Sequence, residues 1–288
     1  HLGIPQHYGV FYALALSLLM EGILSACYHV CPSYTNFQFD TSFMYIIACL
    51  IMVQLYSTRH PDLAAKPHVV FGTFAAIILL AVSGVVFTSF AFWTIFCFVL
   101  IAFSVYSTTQ MYYMGRIRFS LSEIKRSLIF VKHDIFSCPI YKDRMVLLLL
   151  ANAVNWGLAI NGAVTEPGDF ASYLLAILIV NGLIYLLFYV VMKVRYKEKI
   201  PLLSGLCSLL TVACWAASLS FFLQGLTSWQ KSPAYSRENN KDCILFNFYD
   251  DHDVWHFLSA VSIFLSFMIL LTMNDDLTKT SRKKIRVF

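Results

Sequence analysis

His252 and His256 stand four residues apart in YDDHDVWHF, residues 249 to 257. On a helix that spacing puts both imidazoles on one face, one turn from each other. Two imidazoles so placed suit two ligands of one zinc ion, although the pair alone is a weak signal. A second polar stripe strengthens it. In MEGILSACYHVCP, Glu21, Ser25 and His29 recur every four residues near the end of an otherwise apolar run. Ionisable groups in membrane segments cost roughly 2.5–3.5 kcal/mol for Asp on insertion scales, so they face a cavity or a partner. Asp40 then opens the next apolar run, in FQFDTSFMY, where a helix N-cap is its alternative role.

Three imidazoles and one open position make the catalytic form of zinc coordination, in which a bound water becomes a nucleophile and a carbonyl or phosphoryl oxygen is polarised. In that chemistry Asp40 would hold and deprotonate the water, and Ser25 would hydrogen-bond the water or the developing oxyanion. Asp250, Asp251 and Asp253 are candidates to receive a second ring N–H of His252 or His256. They also fit a helix start, where the dipole favours carboxylates, and that role is preferred. A purely structural zinc, clamping three segments together, competes with the catalytic reading.

The elements that must position these residues follow from composition. The chain is 59% hydrophobic and 13% charged, with mean hydropathy +0.68. Soluble domains carry about 25% charged residues, so a soluble fold is excluded in favour of an all-α polytopic membrane bundle. Runs near the 20-residue length of a span lie at 8–28, 40–56, 69–87, 90–114, 145–164, 172–194, 201–226 and 253–273. Of 21 basic residues, 18 fall in alternate connections: Arg59 and Lys66, then 115–144, 193–200 and the stretch after Met273. Basic residues gather on the cytoplasmic side, which puts both ends of the chain there. It also removes the reason to read the +5 net charge as a nucleic-acid footprint. On this topology His29, Asp40, His252 and His256 share one outer depth. Cys31 and Cys243 fall in outer connections, where oxidation is permitted, and are expected to pair. The 115–144 connection is expected to be an interfacial loop with a short amphipathic helix. Asn152, Asn155 and Asn161 are expected to bond between helices. LFYVVMK, 187 to 193, fits a proposed cholesterol-contact pattern, but an aromatic belt at a span end is the preferred account.

Ser25-x3-His29, Asp40 eleven residues on, and His252-x3-His256 in the last span together resemble the signature of the CREST superfamily of membrane zinc hydrolases. That group includes alkaline ceramidases and adiponectin-receptor-like proteins. Within it, YHVCPSYTNFQFDTSFMY and DCILFNFYDDHDVWHFLS resemble the systemic-RNAi-defective (SID) transmembrane family, in its vertebrate members, and the likeness covers essentially the whole chain. The resemblance implies a seven-helix CREST-like core within about eight spans, and one transmembrane domain over residues 1–288. It also implies a longer protein, in which an extracellular β-rich region and earlier spans precede His1. Expected from it are uptake or transport of double-stranded RNA, with RNA held by that extracellular region, cholesterol binding and a homodimer. The expected location is the plasma membrane or endosome-lysosome. Relatives in the superfamily hydrolyse sphingolipid amides, so a zinc-dependent lipid hydrolase on sphingolipid or phospholipid is one expected activity. RNA transport around a structural zinc is the other.

Overall fold

A chain in lipid must satisfy every backbone group internally, and a long apolar run does so as a helix. The computed structural model bears this out in residues 2–30, 37–60, 67–87, 89–113, 129, 139–224 and 243–288, to which the description is confined; the side chains of residues 37–40, 67, 69 and 222–224 lie outside it. Its helices are α1 (Tyr8–Val30), α2 (Phe37–Arg59), α3 (Pro67–Val86), α4 (Phe90–Tyr112), α5 (Lys142–Thr165), α6 (Phe170–Arg195), α7 (Leu202–Gln224) and α8 (Asp251–Thr272). Each end falls within three residues of the apolar run that predicts it. Seven of these helices are long and apolar enough to cross a membrane. The third, Pro67–Val86, has 20 residues, of which Val70–Val86 form an apolar stretch whose side chains are described. The amphipathic helix expected within 115–144 lies almost wholly outside the described residues.

The helix starts show why sequence fixes the boundaries. Ser89 caps α4 by accepting from Phe92 N at 3.2 Å, and Asp169 caps α6 by accepting from Ser172 N at 3.1 Å. Asp250 caps α8 with a reciprocal box. Its Oδ1 accepts from His252 N and Asp253 N at 2.9 and 3.0 Å, and Asp253 Oδ2 accepts from Asp250 N at 3.2 Å. These acids satisfy orphan N–H groups at the helix start, as the preferred reading expects.

The chain divides into two compact units. The first holds His1–Gln54 and Glu198–Ile285. In it α7 and α8 pack along one another, joined where Ser218 Oγ donates to the Trp255 carbonyl at 3.3 Å. Residues before α1 pair with the segment after α8, through Gly3 N to Thr280 O at 2.8 Å and an antiparallel bridge between Leu2 and Ser281.

The second unit holds Leu55–Lys197 and Arg286–Phe288. Trp93 is fully buried among Phe92, Phe96, Phe170 and Tyr173, all edge-on, while Ile95, Phe98, Val99 and Phe103 of α4 face outward. Gly84 is required here, because a Cβ on α3 would overlap the Phe170 ring. A polar ladder joins α4, α5 and α6. Asn155 and Asn181 exchange reciprocal amide bonds of 2.9 and 2.8 Å, Asn152 donates to Thr108 at 2.5 Å, and Trp156 donates to Ser104 at 3.0 Å. Asn161 donates to Tyr173 at 3.2 Å. All three asparagines expected to bridge helices do so.

Arg59 and Arg144, each 2% exposed, grip the last residues of the chain. Arg59 donates to Tyr189 Oη at 2.7 Å and to the Arg286 carbonyl at 3.3 Å. Arg144 donates to the Val287 carbonyl at 3.0 Å. Phe288 stacks on Tyr196 and lies under the Arg59 guanidinium, 4.4 Å from ring centroid to charge. This packing corrects the reading of LFYVVMK. Phe188, Tyr189 and Lys193 are buried, so they form neither a lipid-facing sterol contact nor an aromatic belt.

Candidate metal centre

His29 lies in the last turn of α1, and His252 and His256 occupy the first turns of α8. The long chain between them folds so that the three Nε2 atoms meet. His29 to His252 is 3.3 Å, His29 to His256 is 3.2 Å, and His252 to His256 is 3.1 Å. The ring centroids stand farther apart, at 4.8, 5.1 and 4.7 Å, with the planes 67°, 75° and 81° to one another. The rings therefore taper toward their Nε2 corners.

Mutual hydrogen bonding does not account for such a triangle. A neutral imidazole has one N–H, and a bond needs that N–H nearly in line with its acceptor, so one proton cannot serve two neighbours 60° apart. A shared cation does account for it. Zinc–nitrogen bonds of 2.0–2.1 Å in a tetrahedron set ligand nitrogens about 3.3–3.4 Å apart, close to the observed edges. Among the described residues, this is the group of three or more His, Cys, Asp or Glu side chains whose ligand atoms could share one ion. The donor set, three nitrogens without thiolate, fits zinc and other borderline divalent metals.

Neighbouring residues hold the imidazoles in place. The Trp255 ring leans on His256 with centroids 4.3 Å apart, and on His252 at 5.2 Å. Tyr28 meets His29 edge-on at 4.9 Å. Ser259 Oγ donates to the His256 carbonyl at 3.0 Å. Ser25 is buried one turn before His29 on the same face of α1. Asp40 belongs to the first turn of α2, and its side chain lies outside the described residues. Cys243 is exposed, whereas Cys31, and with it the expected bridge, lies outside them. Neither Trp255 nor Tyr28 carries a metal-binding signature. Their adjacency in sequence to His256 and His29 was the available signal for them.

The fold and the site define a class: a multi-span α-helical membrane protein with three imidazoles converging between its first and last described helices. Residues 1–288 match, end to end, the family described as the dsRNA-gated channel SID-1. The chain is 52% identical over 291 residues to SID1 transmembrane family member 1 of Mus musculus, which covers 99% of this chain and 35% of that protein. It is 51% identical to the Homo sapiens protein of the same name over equal shares. It is 40% identical over 290 residues to cholesterol uptake protein 1 of Caenorhabditis elegans, covering 99% of this chain and 38% of that one. The chain belongs to the SID-1 family of membrane proteins. It spans little more than a third of the length of these relatives.

Proposed function

We propose that this chain is a membrane-embedded part of a double-stranded-RNA transport protein, in which a zinc ion held by His29, His252 and His256 ties the end of α1 to the start of α8. The family match over all 288 residues supports the transport role. The triangle of Nε2 atoms with edges of 3.1 to 3.3 Å carries the metal. RNA binds outside these spans on this reading. The described helices carry no lengthwise stripe of charge such as a duplex passage would need; the charged residues buried in them are Arg59, Arg144 and Lys193. The name of the Caenorhabditis elegans relative supports a link to sterol, and the assembly is read as a homodimer in the plasma membrane or the endosome-lysosome, with the imidazoles near the outer face.

A second reading makes the same centre hydrolytic, as in the alkaline ceramidases and adiponectin-receptor-like proteins of the CREST superfamily. Three protein ligands leave a fourth position, and Ser25 is buried one turn from His29. Zinc in such a site brings the pKa of a bound water to about 7 and polarises a carbonyl. Asp40 would then accept a proton, and Ser25 would donate a hydrogen bond to the amide or ester oxygen of a sphingolipid or phospholipid.

Elemental analysis of the purified protein tests the metal: about one zinc per chain is expected, and a preparation with none ends the proposal. Asp40→Asn separates the readings. Retained zinc and RNA uptake with lost lipid turnover supports hydrolysis. Retained zinc with no turnover in either protein leaves the structural role.

A further inference from the structure

The segment that feeds α8 is a tight hairpin, closed by the Leu245–Tyr249 bridge. Ile244 N and Leu245 N donate to the Tyr249 carbonyl at 2.8 and 3.1 Å, while Phe248 N and Tyr249 N donate to the Leu245 carbonyl at 3.1 and 3.0 Å. Its turn presents Phe246 and Phe248, 85% and 71% exposed, beside the exposed Ile244. Between Cys243 and Tyr249 no residue is charged, and Asn247 is the one polar side chain besides the Tyr249 hydroxyl.

The backbone opposes this choice of residue. Phe246 and Asn247 have φ of 55° and 56°, the left-handed region that Asn tolerates and a bulky side chain resists. A glycine at 246 would relax the turn. A phenylalanine held there serves what its ring touches. The hairpin is also continuous with an exposed apolar surface. Tyr249 packs edge-on against Phe257 at 5.0 Å, and Phe257, Val261 and Phe264 form an exposed apolar stripe down α8 at the i, i+4, i+7 spacing of one helix face.

We infer that hairpin 244–249 is an interfacial anchor, whose Phe246 and Phe248 rings insert among lipid acyl chains at the membrane face where α1 ends and α8 begins. The chemistry is that of an interfacial wedge. Aromatic rings favour the water–lipid boundary, where water remains to meet the backbone groups of the turn beyond its four bonded N–H groups. The anchor fixes the depth of Asp250, the cap from which both α8 histidines project. The inference stands apart from the identity of any metal, since it uses the surface and not the imidazoles.

The test places a reporter at the tip. Phe246→Trp and, separately, Phe248→Trp are introduced into the full protein reconstituted in phosphatidylcholine nanodiscs, and the added emission is taken as the difference from wild type. Acyl chains brominated near the headgroup are expected to quench most of that added emission at either position. Absence of quenching by brominated lipid at both positions overturns the anchor. Iodide then tells whether water or another protein surface covers the tip instead.

Discussion

Two regions of this molecule place polar side chains among apolar helices, and they do opposite things with them. In the ladder of α4, α5 and α6, side-chain donors meet oxygens: Asn155 with Asn181, Asn152 with Thr108, Trp156 with Ser104. The Asn155 and Asn181 amides close on one another. Where α1 meets α8, three nitrogens converge to 3.1–3.3 Å without enough in-line protons to bind each other. The first pattern is adhesive. The second has the spacing that one shared divalent cation would give its ligand atoms.

The largest expected effect falls on the second region. His252→Ala or His256→Ala should take zinc from about one per chain to nearly none by elemental analysis, because the two imidazoles that remain, one on α1 and one on α8, cannot hold the ion as three do. Asn155→Ala should leave zinc unchanged. Loss of zinc in the asparagine variant would erase the distinction between the regions.

Chelation comes next. Ligand that binds only the folded state stabilises it by RT ln(1 + [L]/Kd), about 4 kcal/mol at a thousandfold excess over Kd. Stripping zinc should lower the melting temperature of the wild type by several degrees, while the His256→Ala variant, already lacking metal, should not respond.

A smaller effect sharpens the adhesive side. Asn155→Ala and Asn181→Ala should each destabilise the fold, and together cost little more than either alone. Reciprocal bonds between membrane helices couple by about 0.6 kcal/mol on average and up to about 1.7. Additive losses in a double-mutant cycle would show that the two amides act independently. Asp250→Ala should cost about 1 kcal/mol as a lost cap, with Asp250→Asn close to wild type. A carboxylate requirement at 250 would mean that the acid also serves the imidazoles.

Much of this contrast is readable from residues alone, for physical reasons. Apolar runs of span length dictate helices wherever they occur, so the helix positions follow directly. His252 and His256 declare themselves by a separation of one turn, and alternation of basic connections brings His29 to their depth. Asn181 is less legible: it is a lone amide in an apolar run, and its partner Asn155 belongs to another helix. Arg59 and Arg144 mislead, since a positive charge near a span end is expected to mark the cytoplasmic surface. Their burial depends on residues 286–288 folding back to supply carbonyls and an aromatic ring. The burial of Tyr189, whose ring lies 5.3 Å from that of Phe288, has the same distant cause, which is why a local motif at 187–193 gave no guide to its exposure.

Gly84 carries a practical corollary. A methyl group at that position would press into Phe170, which braces Trp93 and Phe96, so Gly84→Ala should spring the aromatic cluster apart while leaving every imidazole untouched. Such a variant is a mechanical control: a phenotype it shares with the histidine variants reports loosened helices, and one it lacks reports chemistry.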